Sequence, residues 1–280
     1  MIDIISVVFR EELPILQTQA QSIDLYCQNI GIKNIYVLVN DEDALVNEID
    51  VAWWGSLQNR VRVLPRSVFS CEFDDNGWLS QQLTKLLATT ISYNTWAMVL
   101  DAKTVFVKHL DLAQMFTPAG ALNCGWGPMI PVFRPAQDIA NRLFCVDNQA
   151  SLLPSGVPFF FNTNEVRKMI SHVTEITGES FPQWFQAQGM LTEFVLYSTW
   201  IRRQYGDANT LYSGQAMPWL SPVNICHSET GRFDQILDTV DQNTLTLSVH
   251  RNAWIALTDQ QRQRFRNILL ERRLTSAENL

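Results

Sequence analysis

The chain has no glycine loop of the kind that cradles phosphates. Its 280 residues include 12 glycines, and none falls into Gly-x-Gly-x-x-Gly or Gly-x-x-x-x-Gly-Lys-Ser/Thr. The first strand-to-helix turn, Phe9-Arg10-Glu11-Glu12, holds no glycine at all. Backbone amides there cannot close on a pyrophosphate, which argues against a dinucleotide-binding or P-loop enzyme. The missing Gly-x-Ser-x-Gly elbow argues against a serine hydrolase. Four histidines (His109, His172, His227, His250) lie scattered without His-x-x-x-His, so a metal site of histidines alone is not expected. The five cysteines (Cys27, Cys71, Cys124, Cys145, Cys226) never form Cys-x-x-Cys, which fits reduced core thiols better than disulfides or zinc. Basic residues are outnumbered, 21 against 28 acids, giving a net charge of -7. A dedicated nucleic-acid binder needs a basic face, so nucleic acid is not an expected partner. No apolar run approaches the ~18–20 residues that span a bilayer. The opening Met1-Ile2-Asp3-Ile4-Ile5 has neither the positive segment nor the cleavage site of a signal peptide, and a soluble, cytoplasmic protein is expected.

What the chain does contain is alternation of strand and helix patterns. Ile2–Phe9 is a nearly continuous apolar, β-branched run, as in a strand buried on both faces of a parallel sheet. Glu11-Glu12-Leu13-Pro14 opens a helix, with acids in the first turn and proline where it is tolerated. Leu13, Leu16, Ala20, Ile23, Cys27 and Ile30 then mark one helix face, and Gly31 stops it. A strand over 34–39 completes a β-α-β unit, which predicts a right-handed crossover. Further strands are expected over 61–64, 95–100, 104–107, 157–161 and 244–249. Helices are expected over 78–91, 163–175 and 190–204, with Thr258 capping a last one. Residues 118–135 read as a hairpin or irregular loop, and 206–232 as loop-rich. The expectation is one α/β domain over 1–280 with a mostly parallel central sheet flanked by helices. Residues 1–110 would form a nucleotide-binding half, and 111–280 an acceptor-side half.

The candidate site residues come from carboxylates and cations at the ends of these elements. In Leu100-Asp101-Ala102-Lys103-Thr104 an apolar run ends in an aspartate and resumes two residues later. In an open α/β sheet the carboxyl end of a strand faces the ligand crevice, so Asp101 would meet a ligand; the plain alternative is a strand-end cap. Asp41 ends the second strand, where a carboxylate could meet a ribose or base, or simply shape a turn. Gln81, Gln82 and Lys85 share a helix with the Leu79/Leu83/Leu86 stripe, and Lys85 at its margin could snorkel to water or meet a phosphate. Glu193 sits at helical spacing from Met190 and Tyr197, inside or beside an apolar face. An unpaired buried carboxylate is costly, so Glu193 needs a partner or a raised pKa. His250-Arg251 closes the last strand and could face an anion or solvent. The arginines of the last helix could meet an anionic membrane surface, although a solvated, dipole-complementing helix accounts for them better.

Taken together, these pieces resemble an uncharacterised bacterial family of GT-A glycosyltransferase-like proteins. The shared pattern comprises Ile2-Asp3-Ile4-Ile5-Ser6-Val7-Val8-Phe9 with Glu12-Leu13, Ile35-Tyr36-Val37 with Asp41, and Gly77-Trp78-x-x-Gln81-Gln82-x-x-Lys85-Leu86. It continues with Leu100-Asp101-Ala102-Lys103, Thr192-Glu193-Phe194-x-Leu196-Tyr197 and Val249-His250-Arg251. The resemblance implies a GT-A fold and a nucleotide-sugar-dependent transferase acting on a surface or secreted glycan in polysaccharide biosynthesis. Its donor would be a nucleotide sugar and its partner a glycan acceptor. It implies Glu193 and Asp101 as catalytic residues. It implies Asp41, Gln82, Lys85, Lys103, His250 and Arg251 around the donor. In the family's better-known relatives an Asp-x-Asp pair and a late histidine hold manganese or magnesium on the diphosphate, which maps the metal to Asp101 and His250. Lys103 stands where the second acid belongs. Either a metal binds through Asp101, His250 and phosphate alone, or the fixed cations Lys85, Lys103 and Arg251 replace it. The missing acid also leaves open a non-catalytic nucleotide- or sugar-binding protein. A metal nuclease using Asp101 and Glu193 is disfavoured by the acidic balance.

Overall fold

The computed structural model describes residues 1–147, 151–153, 156–206, 210–214 and 222–280. Its strands are β1 (Ile2–Val8), β2 (Ile32–Val39), β3 (Val61–Pro65), β4 (Trp96–Asp101), β5 (Val105–Phe106), β6 (Gly127–Pro128), β7 (Ser151–Leu152), β8 (Phe159–Asn162), β9 (Pro222–Ile225) and β10 (Thr246–Val249). Its helices are α1 (Leu13–Tyr26), α2 (Gly77–Ile91), α3 (Leu112–Met115), α4 (Arg134–Phe144), α5 (Thr163–Thr177), α6 (Phe181–Ala187), α7 (Glu193–Tyr205), α8 (Phe233–Leu237), α9 (Arg251–Ala256) and α10 (Asp259–Glu271).

The central sheet runs β3-β2-β1-β4-β8. Its first four strands are parallel, and β8 pairs with β4 in the antiparallel sense. The expected α/β architecture with a mostly parallel sheet is therefore borne out. All seven residues of β1 are buried, as its unbroken apolar run requires of a central strand covered on both faces. Of the helix face read from sequence, Leu16, Ala20, Ile23, Cys27 and Ile30 are fully buried and Leu13 half-buried. Each buried leucine or isoleucine contributes about 2 kcal/mol. The helix ends at Tyr26, a short 3-10 turn follows, and Gly31 reverses the chain at φ +68. That left-handed conformation suits glycine, which has no Cβ to clash.

A second, three-stranded sheet is ordered β5-β10-β9, with β10 parallel to β9 and antiparallel to β5. The loop-rich reading of 206–232 thus misses β9, whose pattern is too short and polar to register. Likewise, the irregular segment ends earlier than its composition suggests, because α4 starts at Arg134. The cysteines are free, but only Cys27 and Cys124 are buried. Cys145 and Cys226 are exposed, which corrects the expectation of uniformly buried thiols. The arginines of α10 are largely met from within the chain. Arg264 pairs with Asp234 (2.8 Å) and with Asp238, and Arg262 with Asp259 at 2.7 Å. No described helix is long and apolar enough to cross a membrane.

One buried glutamine ties the two sheets at the turn that links them. Gln19 of α1 donates from Nε2 to the carbonyls of Asp101 (2.6 Å) and Thr104 (2.9 Å), and its Oε1 accepts from Ser6 Oγ of β1 at 2.7 Å. The turn itself closes through Thr104 N–H to the Asp101 carbonyl at 2.9 Å. A glutamine is needed because the site calls for two donors and one acceptor on one planar group. Gln19→Leu keeps the volume, leaves the Thr104 carbonyl and the Ser6 hydroxyl without their side-chain partner, and takes from the Asp101 carbonyl one of its two donors. It is expected to lower stability by about 3 kcal/mol in urea denaturation.

Candidate active site

The carboxyl end of β4 carries the densest set of charges in the interior. Asp101 ends that strand, opposite Val7 of β1. Its Oδ2 accepts from Lys103 Nζ at 2.7 Å, across the pinned turn. Its Oδ1 lies 2.7 Å from Lys85 Nζ as an ion pair. Lys85 also donates to Glu193 Oε1 at 3.0 Å. The ammonium is 2% exposed and Glu193 0%, so this is a buried ion-pair chain and not a surface contact. Phe194 covers Lys85, its ring centroid 5.2 Å from Nζ.

Local structure explains the convergence. The Asn76 side chain caps α2 by accepting from the Trp78 and Leu79 amides. Asn40, at the end of β2, donates to Ser80 Oγ at 2.9 Å and accepts from Thr84 Oγ1 at 2.6 Å, which fixes the rotation of α2. Lys85 then faces the end of β4. Glu193 is the first residue of α7, and the hydroxyl of Thr192 caps that helix by accepting from Val195 N–H at 3.2 Å. Sequence reasoning placed Met190 on this helix with Glu193 inside its stripe. In fact Met190 lies before the helix and is 51% exposed, while Glu193 to Arg202 are all buried.

Charge assignments follow from these contacts. Burial works against the Asp101 carboxylate, but the Lys103 and Lys85 ammoniums overcome it and hold its pKa far below the usual carboxylate range. Burial also works against Lys85, and the two carboxylates more than offset it, so the ammonium keeps its proton. In Glu193 burial prevails over Lys85, and the pKa is raised. Glu193 Oε2 is buried and meets no other side chain among the described residues, and the residue's own backbone amide, like Lys85, works against the rise. The two acids act oppositely on stability. The contribution of Asp101 is present above the pKa of an unfolded aspartate and fades as pH falls toward its folded value. The contribution of Glu193 is present below the pKa of an unfolded glutamate and fades as pH rises through its raised folded value.

These groups line a cleft of about 230 Å³. Gln82, Lys85, Asp101, Lys103, Glu193 and His250 all border it, so six of the eight residues singled out in sequence meet in one place. Asp41 does not border it. Its Oδ2 accepts from the Arg10 amide at 2.8 Å, so it shapes the turn after β1, the plainer of its two readings. Arg251 is also elsewhere. It lines a neighbouring apolar cavity of about 140 Å³ and reaches Glu11 at 3.4 Å. Lys103 forms part of both walls. Lys85 neither snorkels to water nor stands free: its ammonium pairs with two carboxylates. Three neighbours escaped the sequence reading. Gln19 and Asn40 read as ordinary helix and strand-end residues. Glu12 looked like a dipole-complementing acid, but burial raises its pKa close to Lys103 and Asp101.

A divalent cation on Asp101 and His250 does not fit this donor set. Both Asp101 oxygens sit 2.7 Å from ammonium nitrogens. His250 caps α9, its Nδ1 accepting from Asn252 N–H at 3.3 Å. Burial and Lys103 lower its pKa, so the ring is neutral with its proton on Nε2, which makes that nitrogen a donor and not a ligand. Among the described residues no group of three or more His, Cys, Asp or Glu side chains gathers for a metal.

Lys85→Met leaves Glu193 buried without its cation. A loss of about 3–5 kcal/mol in urea denaturation at neutral pH is expected. Adding Glu193→Gln to that variant should restore part of it, and strict additivity of the two changes would refute the coupling.

The fold has counterparts among solved structures. The galactosyltransferase LgtC with donor and acceptor sugar analogues matches over 96% of this chain and 95% of its own, at a TM-score of 0.49 and 14% identity. Mouse xyloside xylosyltransferase 1 in its apo form matches over 90% and 99%, at 0.45 and 14%. A likeness of this size does not carry residue roles across. No curated protein matches the chain in sequence. A sequence profile does: it covers residues 9–260, which takes in every residue of the cleft, and by it the chain belongs to a family of unknown function (DUF6492).

Proposed function

We propose that the protein transfers a sugar from a nucleotide-sugar donor to a hydroxyl of a glycan, without a divalent cation, on a GT-A-like scaffold. The observation that carries this is Glu193: a fully buried carboxylate bordering a cleft at the carboxyl end of the sheet, held by Lys85 through one oxygen, with the other meeting no other side chain among the described residues. Ligands of open α/β sheets bind at such strand ends. A carboxylate with a raised pKa and one oxygen that meets no other side chain suits general-base work near neutral pH.

In this reading the acceptor hydroxyl gives its proton to Glu193 Oε2 as its oxygen bonds the anomeric carbon. The bond from that carbon to the diphosphate breaks, and the nucleoside diphosphate leaves with the electron pair. Glu193 as base implies one direct displacement with inversion at the anomeric carbon. Charge growing on the leaving group is met by Lys103, which borders the cleft and shares its charge with a single carboxylate, and by His250 Nε2–H. Asp101 holds both lysines and is placed to accept from sugar hydroxyls. Gln82 lines the same wall. The rival reading, a binding protein without turnover, draws on the same double pairing of Asp101, which spends much of the cleft's positive charge internally.

A thermal-shift screen of nucleoside diphosphates, paired with a donor-turnover assay, decides between them. One diphosphate should raise the melting temperature equally with manganese and with a chelator. Activity abolished by chelation and restored by manganese would overturn the cation-free mechanism. Binding without turnover would support the binding protein. Glu193→Gln should keep diphosphate binding and reduce kcat by about 10²–10⁴. In the parent, kcat should rise with pH through an inflection above the ordinary glutamate range, because the base must be ionised and burial opposes that. The acid limb should vanish in Glu193→Gln.

A further inference from the structure

Trp78 is out of place for a tryptophan. Of the eight described tryptophans it is the one in the exposed class, at 43%; the others are buried or half-buried. Among the described residues no aromatic ring stacks on its indole. A partly exposed indole presents a broad apolar face on which a ligand can pack. The ring borders the cleft that holds Glu193 and Asp101.

Its position on α2 gives the exposure a direction. Trp78, Gln81, Gln82 and Lys85 stand at i, i+3, i+4 and i+7, so they form one stripe two turns long, about 10 Å. All four line the cleft. The stripe grades from an exposed indole at the outer end to a buried ammonium at the inner one. Between them, Gln82 is anchored by its Nε2 to the Trp78 carbonyl at 3.2 Å, and Gln81 is half-buried with an amide that makes no hydrogen bond. At the inner end lies Oε2 of Glu193, which meets no other side chain among the described residues. An apolar plate, a free amide and a carboxylate in a row match the surface of a saccharide. A pyranose shows a face of C–H groups that lies on an aromatic ring, and an edge of hydroxyls that amides and carboxylates read.

The geometry points to a two-ring acceptor site, in which the outer pyranose stacks on Trp78 while the inner ring presents its hydroxyl to Glu193. This rests on the transferase reading and narrows it: the acceptor is at least a disaccharide end, and Trp78 selects it over single sugars. The inner groups alone would bind a monosaccharide poorly, because every hydroxyl it offers must first shed water.

The test is calorimetric titration of the full chain with methyl glycosides of lactose, maltose and cellobiose, each against the methyl glycoside of its single sugar. At least one disaccharide should bind roughly five- to tenfold tighter than its monosaccharide. Trp78→Ala should erase that advantage, and Trp78→Phe, which keeps a smaller aromatic face, should retain part of it. The proposal is overturned if no glycoside binds, if disaccharides gain nothing over single sugars, or if the advantage survives in Trp78→Ala. Nucleoside-diphosphate thermal shifts on the same samples report the donor site separately. A failure here with those shifts intact refutes the acceptor assignment alone, and their absence throughout refutes the transferase reading.

Discussion

The buried ammonium of Lys85 is the constraint around which the site is built. An isolated charge at that depth would be expelled or neutralised. Two carboxylates from different parts of the chain, Asp101 at the end of β4 and Glu193 at the start of α7, keep it charged. The arrangement works in both directions, since Lys85 joins Lys103 in holding Asp101 ionised and opposes the rise that burial imposes on Glu193. Three elements distant in sequence are thereby locked into one register. Replacing such a chain with apolar groups is often harmless to stability, so folding strength alone does not account for its presence in the interior.

The surrounding polar contacts make sense as supports for that ion-pair chain. Gln19 clamps the turn that carries Asp101 and Lys103, and Asn40 fixes the rotation of α2 that aims Lys85. Both are fully buried and satisfied on both ends of their amides. The result is a set of charges whose positions are fixed before any ligand arrives. Preorganisation of this kind is what electrostatic stabilisation of a leaving group requires, because dipoles and ions that need not move cost nothing at the moment of reaction. The pairing of Asp101 with two ammoniums leaves neither of its oxygens free of a positive neighbour, which disfavours a further cation there.

Much of this could be read from residue order. The strand-Asp-x-x-strand pattern pointed to the end of β4, where the buried charges and the cleft lie, and the spacing of Gln82 and Lys85 against the leucine stripe of α2 put them at the edge of the core. The cost of burying Glu193 required a partner for it, and Lys85 is that partner. What failed did so for identifiable reasons. Asp41 sits at a strand end just as Asp101 does, and sequence cannot tell which strand-end acid borders the cleft and which receives the Arg10 amide. Arg251 adjoins His250, but the cap of α9 falls between them and directs the arginine into the next cavity. Met190 fits a helical spacing that its chain never adopts. Trp78 lay within a quoted motif, yet its exposure is a property of the packed surface and has no sequence signature.

The sequence by itself determined the strand-helix alternation, the central buried strands, the absence of a glycine phosphate loop and the identities of the charged groups. Those are local matters, set by periodicity, turn chemistry and the price of burying polar atoms. Tertiary structure alone decided the partners: that Lys85 pairs with two acids, that both oxygens of Asp101 lie beside ammoniums, that β9 joins β10, and that a partly exposed indole borders the cleft. Pairings across some hundred residues, such as Lys85 with Glu193, depend on how helices rotate and sheets stack, and no spacing along the chain encodes that rotation.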